Sequence, residues 1–339
     1  MNELFFPIVG ALLIVVVALP LCASVSRVAF VALDRFGGGL ARFSAARYLL
    51  LVFPSVLPVA WTISAALHQA ETGRSVIACL ISHDLEQLCV EPLLLVGILL
   101  AVVAGRTWPW IAAYRRASRV RPSSNSAAAR RVAALVANNQ ALHALRGRIV
   151  ISDGSTGGSA TLGLWTPTVA LDAAFVDRCD DDAVEAVLAH ELEHVRGRDP
   201  LRYFVLALGM RLNPLGDRML GRAAAGWVFA REVQCDRAAV LAGARPLGLA
   251  SALVAASRPA HPALAHVRGG AFPKLKLRIE LLLAYEEQRP SDDSRRGASA
   301  LAIAAIALVF VLWLPHDGST APLDTLHTAI ERVTAVTLD

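Results

Sequence analysis

Charge is scarce in this chain. Only 18% of its 339 residues are Asp, Glu, Lys or Arg, against roughly 25% in an ordinary soluble domain, so a wholly soluble fold is not expected. Lysine is almost missing, with Lys274 and Lys276 the only examples. The formal charge of +5 therefore rests on arginines, and these cluster beside apolar runs. That is the pattern of membrane orientation and not of a nucleic-acid groove, so no direct nucleic-acid binding is expected. Five cysteines are too few for a small disulfide scaffold, and the glycine and proline content excludes collagen and low-complexity disorder. Apolar surface is what the chain has in excess: 55% of residues are hydrophobic and the mean hydropathy is +0.51.

That surface is concentrated in four runs. Residues 4–25 carry no charge and at about 1.5 Å per helical residue can cross a hydrocarbon core of ~30 Å. The start Met1-Asn2-Glu3 lacks the basic region of a signal peptide, and Leu21 before Cys22 spoils a lipoprotein box. A second uncharged run covers 48–67 and contains Pro54 and Pro58, which lipid-embedded helices tolerate. The third is short, but Arg106 can snorkel and Trp108 and Trp110 form an interfacial belt, giving a span over 92–110. The fourth covers 297–315, flanked by Arg295 and Arg296. The first connection is basic, with Arg27, Arg35, Arg42 and Arg47 against Asp34; the second is acidic, with Glu71, Asp84, Glu86 and Glu91 against Arg74. Arg106, Arg115, Arg116, Arg119 and Arg121 follow the third run. Positive-inside bias then puts the N-terminus and the tail 316–339 outside and residues 106–296 in the cytoplasm. Cys79 and Cys89 fall in the outer loop, where an oxidising compartment permits a disulfide.

The expected organisation is an N-terminal membrane region over 1–105, a soluble domain over 121–296, a last span and a short tail. Within the soluble domain, 130–145 reads as a helix. Residues 148–153 and 160–171 read as strands around the turn-rich DGSTGG, and the remainder is nearly all helical. Asp181-Asp182 caps a helix whose apolar stripe runs from Val184 to Val195. That helix contains His190-Glu191-Leu192-Glu193-His194. Histidines four apart lie on one face, so both imidazoles can reach one zinc while Glu191 stands beside its open position as a base. A later helix over 222–242 offers Glu232 as a third ligand, and Asp236, one turn on, can orient a ligating histidine through its second ring nitrogen. Cys235 lies near the same face but reads as packing, since as a ligand it would take the place a catalytic zinc keeps for water. Tyr203, His261, His266 and Arg278 are all candidates to stabilise an oxyanion. The strand over 160–171 is a candidate edge for pairing with extended substrate. Residues 203–212, opened by Pro200, are too short to span; they read as a buried helix or as one that dips into the membrane surface.

AHELEHVRGRDPL at 189–201, FAREVQCDRAAVL at 229–241 and GLWTPTVAL at 163–171 resemble the integral-membrane zinc metallopeptidases of the BlaR/MecR antirepressor type. The resemblance implies one Zn(II) per chain, held by His190, His194 and Glu232, with Glu191 as base. It implies a bacterial inner membrane location and a cytoplasmic protein substrate, either a DNA-binding repressor or the receptor itself. The expected fold is mostly α: a multi-span helical membrane protein with a cytoplasmic α+β gluzincin-type zinc metallopeptidase domain. Antibiotic-sensing members carry a penicillin-binding domain after the last span, whereas 316–339 is all that follows here. A signal is then expected through the Cys79 and Cys89 loop, the tail or a partner. The competing expectations are a constitutive quality-control protease and a non-catalytic receptor or scaffold with a structural metal.

Overall fold

Apolar residues without a polar face form the first elements of the computed structural model. It describes residues 14–36, 44–72, 92–117, 122–124, 126–153, 158–256 and 275–285, with isolated positions 8, 11 and 12. A π-helical turn, Ile14–Ala18, leads into α1 (Leu19–Phe36). Helix α2 (Ser44–Thr72) contains Pro54 and Pro58, and α3 (Pro92–Ala117) contains Pro109. The third apolar run is thus longer than expected: Pro109 does not end the helix, which carries Trp108, Trp110 and the following arginines on as one rod. Among the described residues, Ile14–Arg35 and Val96–Arg115 are long and apolar enough to cross a membrane. Their outward faces stay apolar, with Val28 and Val25 69% and 65% exposed. The span over 297–315, the tail, Cys79 and Cys89 lie outside the described residues.

Beyond residue 121 the pattern changes to short elements closed by polar caps. Helix α4 (Ser126–Asn138) stops where Asn139 turns its side chain back to accept from the Ala141 amide, starting a 3-10 segment, Gln140–Leu145. The single helix expected over 130–145 is therefore broken by an Asx cap. Strands β1 (Ile149–Ser152), β2 (Ser159–Leu162) and β3 (Thr168–Asp172) form one sheet with β3 in the centre. β1 runs parallel to it (Ile149 beside Val169) and β2 antiparallel (Ser159 beside Leu171). The single strand expected over 160–171 is a hairpin. Gly163 turns at φ +93°, and a Cβ there would lie 2.6 Å from the Thr166 carbonyl oxygen, so the chain reverses where only glycine fits. β2, like β1, is then an edge of the sheet.

Asp172 caps the short helix α5 (Ala173–Arg178), and Asp180 caps α6 (Asp181–Gly197) by accepting from the Ala183 amide. The cap lies one residue before the expected Asp181-Asp182 pair, whose carboxylates sit in the first turn, where the helix dipole favours them. Arg198, left-handed at φ +50°, turns α6 into α7 (Asp199–Leu212). Helix α8 (Gly216–Leu241) follows, then α9 (Pro246–Ala256) and α10 (Leu275–Tyr285). α8 begins six residues earlier than the sequence suggested, because the tight turn at Asn213 lets the chain re-enter a helix at once.

Two apolar cores result. One packs Val184, Leu188 and Leu192 of α6 against β3, α4 and α9, with Phe175 and Leu249 fully buried. The other joins Leu206, Met210, Leu220 and Trp227 of α7 and α8 to Ala23, Phe30 and Leu51 of α1 and α2. Helix α6 belongs to the first core, and α8 lies across the second.

Candidate metal centre

Helical spacing brings the two histidines of α6 together. His190 Nε2 and His194 Nε2 are 3.1 Å apart and both side chains are buried. Glu232 of α8 closes the third corner, with Oε2 3.6 Å from His190 Nε2 and Oε1 3.6 Å from His194 Nε2. These three residues each offer a ligand atom within 4.8 Å of the others. A tetrahedral zinc with bonds of about 2.0–2.1 Å separates its nitrogen ligands by roughly 3.3 Å, so the spacing suits that ion.

The far nitrogens decide which lone pairs face inward. His194 Nδ1 lies 2.7 Å from Asp199 Oδ2. His190 Nδ1 lies 2.8 Å from Asp236 Oδ1, although the ring N–H is not aimed straight at that oxygen. With its proton on the Nδ1 that faces a carboxylate, each imidazole would turn its Nε2 lone pair toward one shared point, the arrangement a cation needs. Each carboxylate is itself held by an arginine. Arg231 Nε donates to Asp199 Oδ2 at 2.7 Å, and Arg278 grips Asp236 through Nε and Nη2, both at 2.7 Å, while its Nη1 donates to Glu232 Oε2 at 2.9 Å. Two Arg–Asp–His chains thus back the two imidazoles, one from the α6–α7 turn and one from α10.

This much negative charge makes the centre attract cations. Burial disfavours the imidazolium of His190, yet its hydrogen bonds with Asp236 and Glu232 outweigh that and push it up to about 9. Burial would likewise raise Glu232, but the His194 charge, the His190 hydrogen bond and Arg278 hold its carboxyl well below the usual range. The centre therefore keeps its carboxylates ionised and stabilises added positive charge, and a divalent ion bound there would displace the proton from His190.

Glu191 is buried beside the histidines and reaches the sheet instead of the other helices. Ser159 Oγ donates to its Oε1 at 2.7 Å and Thr161 Oγ1 to its Oε2 at 2.6 Å. Those donors alternate along β2, so one face of the edge strand fixes the carboxylate.

Sequence reasoning missed four of these contributors. Asp199 stood five residues beyond His194 in the HELEHxRxRD pattern, which was its only signal. Arg231 adjoins Glu232, but nothing in its position alone pointed to Asp199. Ser159 and Thr161 carry no local signature, because their role depends on sheet register. Gly197 permits the arrangement, since a Cβ there would collide with the Arg231 guanidinium and lie 2.8 Å from Asp199 Oδ1.

The oxyanion candidates separate. Arg278 is committed to Asp236 and Glu232, and its side chain is 3% exposed; it clamps ligands instead of facing substrate. Tyr203 Oη lies 3.4 Å from Glu232 Oε1, and burial together with the negative Glu232 and Asp199 keeps the phenol protonated as a donor. His261 and His266 lie outside the described residues. Cys235 is fully buried, with Sγ 3.6 Å from His194 Nδ1. It sits on the far side of that ring from the point where the Nε2 atoms converge.

Comparison with known proteins agrees with this chemistry. Residues 123–234, about a third of the chain, match the family model for peptidase family M48. The match takes in His190, Glu191, His194 and Glu232 and supports a zinc metallopeptidase of the M48 kind. M48 peptidases are typically zinc-dependent. None of the curated proteins compared matches the chain.

Proposed function

We propose that this chain is a membrane-embedded zinc endopeptidase of gluzincin type that cuts a cytoplasmic protein in signal transduction. The observation that carries the peptidase reading is the convergence of the His190 and His194 Nε2 atoms and Glu232, with Glu191 beside them. A purely structural zinc has four protein ligands and no need of a base, whereas three ligands and a glutamate leave room for substrate. Zinc held by His190, His194 and Glu232 would polarise a scissile carbonyl and make water nucleophilic near neutral pH.

The chain's own residues do the rest. Glu191 accepts the proton of the attacking water and returns it to the leaving amine. Ser159 and Thr161 fix which carboxylate lone pairs remain available for that transfer. Tyr203, a protonated phenol beside Glu232, is the described donor best placed to stabilise negative charge on the carbonyl oxygen. β2 is an edge strand to which an extended peptide could add, which would select chains over small amides.

The two long apolar helices, their exposed valines and the arginine distribution support a membrane location with the peptidase domain in the cytoplasm. The HELEHxRxRD and ExxCD pairing supports the antirepressor reading, in which the substrate is a DNA-binding repressor or the chain itself. Trapping with Glu191→Ala in cells tests it. Capture of a repressor, or accumulation of uncut chain, is the expected result. Capture of misfolded membrane proteins alone would replace the signalling role with quality control, and undiminished processing by the variant would end the peptidase reading.

A further inference from the structure

The α7–α8 helical hairpin is tied to all three apolar helices, and its ties to α1 and α2 agree in depth. Tyr48 Oη donates to the Arg202 carbonyl at 3.2 Å and Ser55 Oγ to the Gly209 carbonyl at 2.7 Å. Seven residues separate each pair of anchors on both helices, so α7 runs alongside α2 in the same direction. At the hairpin's tip Asn213 Nδ2 donates to the Leu19 carbonyl of α1 at 2.8 Å, and Arg106 Nε of α3 donates to the Arg211 carbonyl at 3.0 Å. The Arg211 guanidinium stacks over Trp110 at 4.9 Å.

Sequence boundaries convert these ties into depth. The cytoplasmic ends of the three apolar runs are residues 25, 48 and 110. At about 1.5 Å per residue, Leu19 and Ser55 lie roughly 9 and 10 Å inside those ends, and Arg106 lies within about 6 Å of the third. Helices α1 and α2 thus put the end of α7 in the cytoplasmic half of the bilayer.

The turn is built for such a place. Backbone that leaves a helix at membrane depth must satisfy its polar groups within the protein. Here the Asn213 amide donates to the Gly209 carbonyl at 3.3 Å, the Gly216 amide to the Asn213 carbonyl at 3.0 Å, and the Leu215 amide to Asn213 Oδ1 at 3.0 Å. Asn213 is 2% exposed, while Pro214 and Leu215 face outward. Gly216 allows the tightness, since a Cβ there would lie 2.5 Å from the Met210 carbonyl oxygen. Just beyond, Asp217 interacts with the Arg211 charge, and the exposed Arg218 and Arg222 have side chains long enough to reach the headgroups.

We infer that α7–α8 is a re-entrant hairpin whose tip enters the cytoplasmic leaflet, with lipid as the partner that covers Pro214 and Leu215. The inference rests on the membrane reading above. Tyr203 lies eight residues, about 12 Å, back along α7 from Arg211, so the candidate metal centre stands at the lipid surface. Its substrate, the chain itself or a cytoplasmic protein, is then cut close to the lipid surface.

Spin labels on the full chain in phosphatidylcholine–phosphatidylglycerol vesicles test this, with labelling of the parent chain subtracted. The positions are Leu215→Cys and Pro214→Cys at the tip, Val16→Cys in the π-helical turn before α1, Leu247→Cys at the start of α9, and Arg196→Cys two residues past His194. The expected result is that the Leu215 and Pro214 labels, like Val16, meet dissolved oxygen far more than an aqueous nickel chelate. Leu247 and Arg196 should show the reverse. Nickel accessibility at both tip positions equal to that at Leu247, with Val16 still in lipid, would overturn the hairpin while leaving the membrane reading standing. Aqueous exposure of Val16 as well would overturn both.

Discussion

The two sides of the candidate centre are held by different means. On the α6 side, aliphatic residues of α4, β3, α6 and α9 interlock, and Phe175, Leu188 and Leu249 have no exposure at all. Its polar ties include Arg245 to Asp182 at the exposed rim, Arg131 to the Val176 and Cys179 carbonyls and the buried Ser152 hydroxyl to the Leu171 carbonyl. On the side of α7 and α8, helices meet through single side chains donating to backbone carbonyls: Tyr48, Ser55, Asn213, Trp227 and Arg106 each do so. Burial from water drives the first arrangement. The second, on the membrane location proposed above, is how helices associate where lipid is as apolar as leucine, through small residues, close packing and hydrogen bonds. His190, Glu191 and His194 come from the first side and Glu232 from the second, so the centre lies on the seam between them.

The largest effect should come from the group that does the chemistry. Glu191→Ala is expected to lower hydrolysis of an unfolded protein by at least about 10²–10⁴-fold, with bound zinc unchanged by elemental analysis; retained turnover would remove Glu191 from its role. Next comes the aliphatic side. Leu188→Ala should cost about 2–5 kcal/mol of unfolding free energy, because a fully buried side chain leaves a cavity, and a denaturant titration of the purified chain would read it. Third, Asp199→Ala should weaken zinc binding by about 10–100-fold in competition with a chelator. Cys235→Ala should leave the same measurement nearly unchanged if the sulfur only packs.

The edge strand should matter somewhat less. Loss of one hydrogen bond to a charged group is worth about 1.5–3 kcal/mol, so Thr161→Val should slow turnover by roughly 10–100-fold at unchanged zinc content. Thr161→Ser should restore most of the rate, whereas a purely structural threonine would show its loss as a lowered melting temperature. The smallest effect belongs to the helix ties: Ser55→Ala should cost only about 0.5–1.5 kcal/mol, measured by thermal unfolding in detergent. A loss as large as that of Leu188→Ala would erase the distinction between the two sides.

Local signals carried much of the description. Four-residue spacing put His190 and His194 on one face, and apolar periodicity gave the course of α6 to Gly197 and of α7 to Leu212. Boundaries failed where one side chain decided them. Asn139 broke a helix and Gly163 folded a strand into a hairpin. Partners far apart in sequence were less legible still. Arg278 reaches Asp236 across 42 positions, and Ser159 reaches Glu191 across 32. Neither residue type announces such a partner, because arginine and serine occur on any solvated surface.

By itself the sequence determined what depends on spacing along a helix and on composition within a run: the histidine pair, its neighbouring glutamate and the apolar helices. Tertiary structure alone decided which carboxylate orients which imidazole, which strand holds the base, and how deep α7 sits among its neighbours. The physical reason is the range of the interactions. Helical periodicity is complete within two turns, whereas a hydrogen bond between distant segments exists only after packing has set the register of each against the other.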